Sequence, residues 1–227
     1  MYERLEGLIG KDNIKKLNSK TVAVVGLGGV GGYVVETLIR NGINNIILID
    51  FDKVDITNKN RQIIALDTTL NKPKTDVFKE RILSINKDCN VTILNIFLND
   101  ENKDELFKYK IDYLVDACDS TKTKVMLIKE CLKRNIKIVS SMGTAKKLDP
   151  KKLEITTLKK TSYDPLAKII RSEIKKLNIK DDITVLSSTE EIVKSDSKTL
   201  GSYNVVPNIA GILIADYIIK DIIEQWR

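Results

Sequence analysis

An apolar run, Thr21–Gly26, leads directly into Gly26-Leu27-Gly28-Gly29-Val30-Gly31 and then a helical pattern starting at Val30. This arrangement constrains the fold more than any other part of the chain. Glycines after a buried strand let the backbone turn tightly and approach phosphates, and the free N–H groups and positive dipole end of the helix that follows favour an anion. Gly28 is the candidate for closest approach. The bland alternative is a plain strand–helix turn, but the order strand, glycines, helix is the context a dinucleotide or nucleotide loop requires.

The rest of the chain continues that logic. Short β-rich runs at Asn45–Asp50, Val91–Phe97, Tyr113–Cys118 and Lys137–Met142 alternate with helical periodicity over Val30–Asn41, Lys74–Asn86 and Thr121–Asn135. The expected fold is therefore α/β, a doubly wound, Rossmann-like and mostly parallel sheet. After Asp149-Pro150 the pattern changes to strands at Leu153–Leu158 and Ile183–Ser188 flanking a helix from Pro165 through Leu177. A closing helix over Asn204–Gln225, interrupted near Pro207, completes a C-terminal α/β extension, and Lys194–Lys198 reads as an exposed loop. The 227 residues suit a single domain: a helical arm at 1–20, a nucleotide-binding core at 21–148 and a substrate-side extension at 149–227.

Composition narrows the function classes. Cys89, Cys118 and Cys131 have no paired spacing, which argues against a disulfide framework or zinc site and for a reducing compartment. The charged start Met1–Arg4 and the absence of a long uncharged run point away from secretion and membrane spanning, so a cytoplasmic location is expected. There is no histidine, so no imidazole base is available. The net charge of +7 is compatible with an acidic partner such as RNA, but equally with a solvated lysine-rich surface.

Asp50, at the end of the second strand, is placed to accept hydrogen bonds from a ribose. To this point a nicotinamide or flavin enzyme fits equally well. Arg61 and Lys74 add cations able to neutralise triphosphate oxygens and a pyrophosphate leaving group, with Asn58 and Gln62 nearby to position phosphate or ribose. Against this, Asn58–Gln62 could simply cap a helix and Lys74 could be a solvated lysine. Asp119, where the fourth strand ends, could hold the Mg²⁺ that accompanies ATP, while Asp116 serves the turn; both acids, and Ser120, could instead cap the next helix.

Together GLGGVG, Asp50, Asn58-x-Asn60-Arg61-Gln62, Lys74 and Asp116-Ala-Cys-Asp119-Ser120 resemble the adenylation domain of the ThiF/MoeB family, relatives of ubiquitin-activating enzymes. The resemblance implies ATP-dependent adenylation of a carboxylate in a homodimer. It assigns nucleotide binding to Gly26, Gly28, Gly29, Gly31, Asp50, Asp52, Asn58, Arg61, Gln62, Lys74 and Ser120, and metal binding to Asp119. Arg61, Lys74 and Asp119 would act in catalysis together with Arg4, which would reach the partner subunit's ATP.

Lys160-Thr161-Ser162-Tyr163-Asp164-Pro165-Leu166-Ala167 and Ser188-Thr189-Glu190-Glu191 further resemble the tRNA threonylcarbamoyladenosine dehydratase branch. That implies a tRNA substrate, whose threonyl carboxylate is adenylated and cyclised next to the anticodon. Lys146, Lys147, Lys151, Lys152, Lys159, Lys160, Lys168 and Arg171 form the candidate group for tRNA phosphates. Ser140–Thr144 could bind a monovalent cation through carbonyls or simply turn around Gly143. Some relatives work with a cysteine desulfurase or sulfur acceptor, which makes such a partner an expectation too. The rival reading within the family is activation of a ubiquitin-like sulfur carrier; the missing CxxC pairs and the lack of cysteine after Cys131 favour a small-molecule or RNA carboxylate over a carrier protein's C-terminal glycine.

Overall fold

A computed structural model describes residues 1–193 and 201–224. Helices α1 (Glu3–Ile9) and α2 (Lys11–Asn18) precede β1 (Thr21–Val25), α3 (Gly29–Arg40), β2 (Asn45–Ile49), α4 (Lys74–Ile85) and β3 (Asn90–Leu94). Then come α5 (Asp104–Phe107), β4 (Tyr113–Asp116), α6 (Thr121–Lys133), β5 (Lys137–Ser141), β6 (Leu153–Thr157), α7 (Pro165–Lys176), β7 (Thr184–Ser188) and α8 (Val205–Ile223). The strands form one seven-stranded sheet in the order β3-β2-β1-β4-β5-β7-β6. All pairings are parallel except β6 with β7.

The alternation of side chains along each strand divides the core in two. Val22 and Val24 of β1 pack with Ile46 and Leu48 of β2 into one apolar layer with α3, α4 and α8. Ala23, Val25, Ile47 and Ile49 face the opposite layer, built on α6 and α7. Both faces are covered, which is why these strands read as unbroken apolar runs rather than alternating ones.

Three details differ from the sequence reading. The third strand stops at Leu94, and 95–97 leave the sheet. Pro207 does not interrupt α8: it lies in the first turn, where a proline removes no intrahelical hydrogen bond. The four-residue helix α5 was not foreseen, being too short to show periodicity. The Lys194–Lys198 stretch and Gln225 lie outside the described residues.

Candidate nucleotide and carboxylate site

The strand order reverses between β1 and β4, so the loops after them diverge and leave a crevice at the carboxyl ends of the strands. A cavity of about 260 Å³ occupies it. A second, of about 620 Å³, lies alongside toward β5 and the start of α7. Gly29, Arg61, Ala117, Cys118 and Asp119 line both, so the cavities meet at one guanidinium and one carboxylate.

The glycine loop divides into two roles. Gly26 has φ +90°, and a Cβ there would lie 2.7 Å from the Ala117 carbonyl oxygen; a Cβ on Gly31 would lie 1.8 Å from the Gly26 oxygen. These two glycines let the loop close onto β4 and α3. Gly31, assigned to the nucleotide from the sequence, does not line the first cavity, so its contribution is packing. Gly28 does line the cavity, and the nearest atom to a Cβ there, Gln62 Nε2, is 3.8 Å away, leaving open space for a ligand.

Around that opening the predicted polar residues converge. Asp50 is buried; its Oδ2 accepts from the Leu27 N–H at 2.6 Å and its Oδ1 from the Asp52 N–H at 2.8 Å. The carboxylate thus fixes the glycine loop while retaining lone pairs for a ligand hydroxyl. Lys74, the first residue of α4, is only 4% exposed and donates to Asp52 Oδ2 at 2.9 Å. It is a buried ammonium on the cavity wall, which excludes the solvated-lysine alternative. Asn58 is also buried, its Oδ1 accepting from the Asp55 N–H at 3.1 Å, so it both caps its turn and lines the cavity.

Gln62 lines the same wall, and its buried Oε1 has no hydrogen-bond partner among the described residues. Arg61 Nη1 donates to the Thr57 carbonyl and to Asn60 Oδ1, both at 2.9 Å, which holds the guanidinium at the junction. Asp119 is exposed and its carboxylate bonds to nothing among the described residues. Ser120 lines the cavity but also caps α6, its Oγ accepting from the Thr123 N–H at 3.3 Å. Arg4, on α1, is exposed and lines neither cavity of its own chain.

Sequence reasoning missed Phe51 and Phe97. Their rings meet edge to face, with centroids 5.0 Å apart, both rings remain about half exposed, and both residues line the first cavity with Ile96 and Leu98. Exposed aromatics beside a polar nucleotide cradle suit a planar base. The available signal was Phe51 itself, an aromatic immediately after the strand-ending acid.

The second cavity has a different construction. Asp116 does more than serve its turn: it is fully buried and paired with the equally buried Lys124, whose Nζ lies 3.1 Å from both carboxylate oxygens and 2.8 Å from the Ser141 carbonyl. Ser140 Oγ donates to Asp116 Oδ2 at 2.5 Å. This network ties the end of β4 to the end of β5. It also places the Lys124 ammonium against the Ser141 carbonyl, one of the carbonyls of the Ser140–Thr144 turn. Cys118 lies 3.1 Å from Asp116 Oδ1; burial, then the Asp116 charge, pushes its thiol far above the usual range, so it stays neutral.

Asp164 caps α7 through the Ala167 N–H at 3.0 Å and also accepts from the Gly143 N–H at 2.8 Å. Lys147, predicted among the RNA-contacting lysines, is instead buried: its Nζ donates to the carbonyls of Tyr163 and Glu190, and burial lowers its pKa. Arg171 is half-buried, and its Nη1 donates to the carbonyls of Leu158 and Thr161 and to the Thr161 hydroxyl. Lys159 is paired with Asp182. Lys151, Lys152, Lys160 and Lys168 are exposed, whereas Lys146 is half-buried.

Among the described residues no helix is long and apolar enough to cross a membrane, and no group of three or more Cys, Asp or Glu side chains could by itself hold a metal. Comparison with known proteins agrees with the geometry. The chain is 39% identical to the tRNA threonylcarbamoyladenosine dehydratase of Bacillus subtilis, over 99% of this chain and 95% of that protein. The crystal structure of the Escherichia coli tRNA N6-threonylcarbamoyladenosine dehydratase with ATP superposes with a TM-score of 0.92 at 32% identity, covering 98% of this chain and 93% of that one. Its complex with AMP gives 0.93, with the same coverage and identity. Since the ThiF family model matches residues 2–222 as well, the sheet, the glycine loop and the joined cavities are those of a protein that belongs to the ThiF family.

Proposed function

We propose that the chain is an ATP-dependent tRNA threonylcarbamoyladenosine dehydratase, with ATP in the first cavity and the threonyl carboxylate of the modified adenosine in the second. The junction of the two cavities at Arg61 and Asp119 carries this reading, because adenylation requires a carboxylate and an α-phosphate to meet there. The near full-length similarity to the Bacillus subtilis dehydratase selects the substrate. Residues 1–20 act as an arm, 21–148 as the nucleotide core and 149–227 as the substrate side of one domain.

The carboxylate oxygen attacks the α-phosphorus, and the bond to the β-phosphate breaks to release pyrophosphate. The Arg61 guanidinium and the Lys74 ammonium face the charge that accumulates as that bond breaks, in a cleft where they are already oriented. The ureido oxygen then attacks the acyl carbon, AMP leaves, and loss of the ureido proton gives the cyclic product. Proximity within the substrate replaces a protein nucleophile, consistent with a chain that has no histidine and whose cavity thiol at Cys118 is held neutral.

Gly28 and the loop N–H groups cradle phosphate, Asp50 and Gln62 take ribose or base-side donors, and Phe51 with Phe97 borders the base. Asp119, without other bonds among the described residues, suits Mg²⁺, which takes one or two carboxylates together with phosphate oxygens and would neutralise charge on them. Arg4 completes the partner's site in a homodimer, and any monovalent cation would take carbonyls of the Ser140–Thr144 turn. A sulfur-relay partner remains an expectation of the family. Incubation with ATP, Mg²⁺ and threonylcarbamoylated tRNA should yield AMP and the dehydrated nucleoside by mass spectrometry; ATP binding without either product refutes the reading. Mixing Arg4→Ala with Lys74→Ala subunits should restore part of the activity absent from each alone, and no restoration removes Arg4 from the partner's site.

A further inference from the structure

Asn60 lies within the Asn58–Gln62 run but lines neither cavity. Its bonds run across them instead. Oδ1 accepts from Arg61 Nη1 at 2.9 Å, while Nδ2 donates to the Ser202 carbonyl at 3.1 Å. Its own carbonyl accepts from Asn204 Nδ2 at 3.1 Å, and Asn204 Oδ1 in turn accepts from Asn208 Nδ2, at 3.0 Å, inside α8. Ser202 and Pro207 line the second cavity. On the far side, a Cβ on Gly29 would sit 3.3 Å from Pro207 Cβ and 3.4 Å from Arg61 Cγ, so the arginine stem and the start of α8 close on the same point.

We infer that Asn60 is a positioning residue that keeps the α8 wall of the carboxylate cavity in register with the Arg61 guanidinium. The inference rests on the reading that Arg61 meets the phosphates of ATP. Asn60 needs an acceptor on one side and a donor on the other, which a primary amide supplies and a carboxylate or methyl does not. The contacts form one continuous chain from Arg61 through Asn60 to Ser202, Asn204 and buried Asn208, the kind of physical link coupling requires. Engagement of Arg61 by phosphate is thereby felt at the wall that holds the carboxylate. In-line attack tolerates little misregister, and a displacement of about 1 Å can cost about a hundredfold in rate.

Asn60→Asp separates the two halves of the link, since it keeps an acceptor for Arg61 and loses the donor to Ser202. Asn60→Ala removes both. Three quantities are measured on the full chain: the Kd for ATP, AMP release with saturating threonylcarbamoylated tRNA, and amide exchange over 201–208 with and without ATP. In the parent, ATP slows exchange at 201–208. In Asn60→Asp kcat at saturating ATP falls about tenfold and the protection is lost, while the added carboxylate competes with phosphate for Arg61 and also raises the ATP Kd. Asn60→Ala weakens ATP as well, and Asn204→Ala reproduces the lost protection with ATP affinity intact. A merely structural role would lower Tm without separating ATP affinity from kcat. Unchanged ATP-induced protection in Asn60→Asp, no protection in the parent, or a loss of ATP affinity in Asn204→Ala overturns the inference. Failure of the parent to release AMP from tRNA refutes the proposed function instead, while the exchange measurements still decide the link.

Discussion

The two cavities share five lining residues and are built on opposite principles. In the first, Asp119 is unbonded among the described residues and Gly28 leaves open space for a ligand, beside the bonded Asp50 and Lys74. In the second, the two buried charged side chains are engaged within the chain: Asp164 holds Gly143 and Ala167, and Lys147 holds Tyr163 and Glu190. Besides Lys146 and Thr144, much of what faces a ligand there is main chain and apolar surface such as Met142, Leu166 and Pro207. The nucleotide side presents polar groups around an open loop, and the other side relies more on its shape. Substitutions should therefore separate activity from stability on the nucleotide side and join them on the other.

The largest effect tests where the nucleotide loop stops being ligand chemistry. Gly31→Ala forces a Cβ to 1.8 Å from a backbone oxygen, so a loss above about 3 kcal/mol, or about 10 °C in Tm, is expected by thermal denaturation. Gly28→Ala, three residues earlier, should leave Tm unchanged and weaken ATP in a binding titration. Equal Tm losses at the two positions would abolish the distinction.

Lys124→Met comes next. It leaves Asp116 buried without its cation, an expected loss of about 3–5 kcal/mol in urea denaturation, accompanied by lost turnover because the network tying the end of β4 to the end of β5 is broken. Arg61→Ala is the opposite case: about a hundredfold lower kcat for AMP formation with Tm essentially retained. If Arg61→Ala destabilised the protein as much as Lys124→Met, the contrast between the cavities would fail.

The same contrast explains what could be read from the sequence. Asp50, Arg61 and Lys74 lie within one stretch of chain, just after β2, in the turn that follows Ile56–Asn58 and at the start of α4, so the connection between β2 and α4 brings them to the crevice. The second cavity is assembled from 141–147, 164–166, 192, 202 and 207, so no local spacing announces it. Lys147 looked like an RNA contact because a lysine-rich sequence does not distinguish a buried ammonium bonded to carbonyls from a solvated one. Gly31 looked like a phosphate contact because the motif carries loop closure and ligand approach in the same letters. Phe51 was visible as a residue, but its meeting with Phe97 depends on β3 ending at Leu94, which local pattern did not reveal.

The smallest expected effect decides whether the exposed lysines do belong to the substrate side. Lys160 and Lys168 flank the Thr161–Ala167 segment and are solvent-exposed, and neither has a hydrogen bond or ion pair that would be lost on truncation among the described residues. Lys168→Ala should weaken tRNA binding only about two- to threefold near physiological salt and lower the slope of log K against log salt by about 0.7–0.9, the loss of one phosphate contact. ATP affinity and Tm should not change. Lys147→Ala reverses every sign: Tm falls because the carbonyls of Tyr163 and Glu190 lose their donor, while the salt slope is preserved because a buried ammonium releases no counterions from RNA. A salt slope that fell in Lys147→Ala but not in Lys168→Ala would place the RNA path inside the cavity wall rather than across the surface of α7.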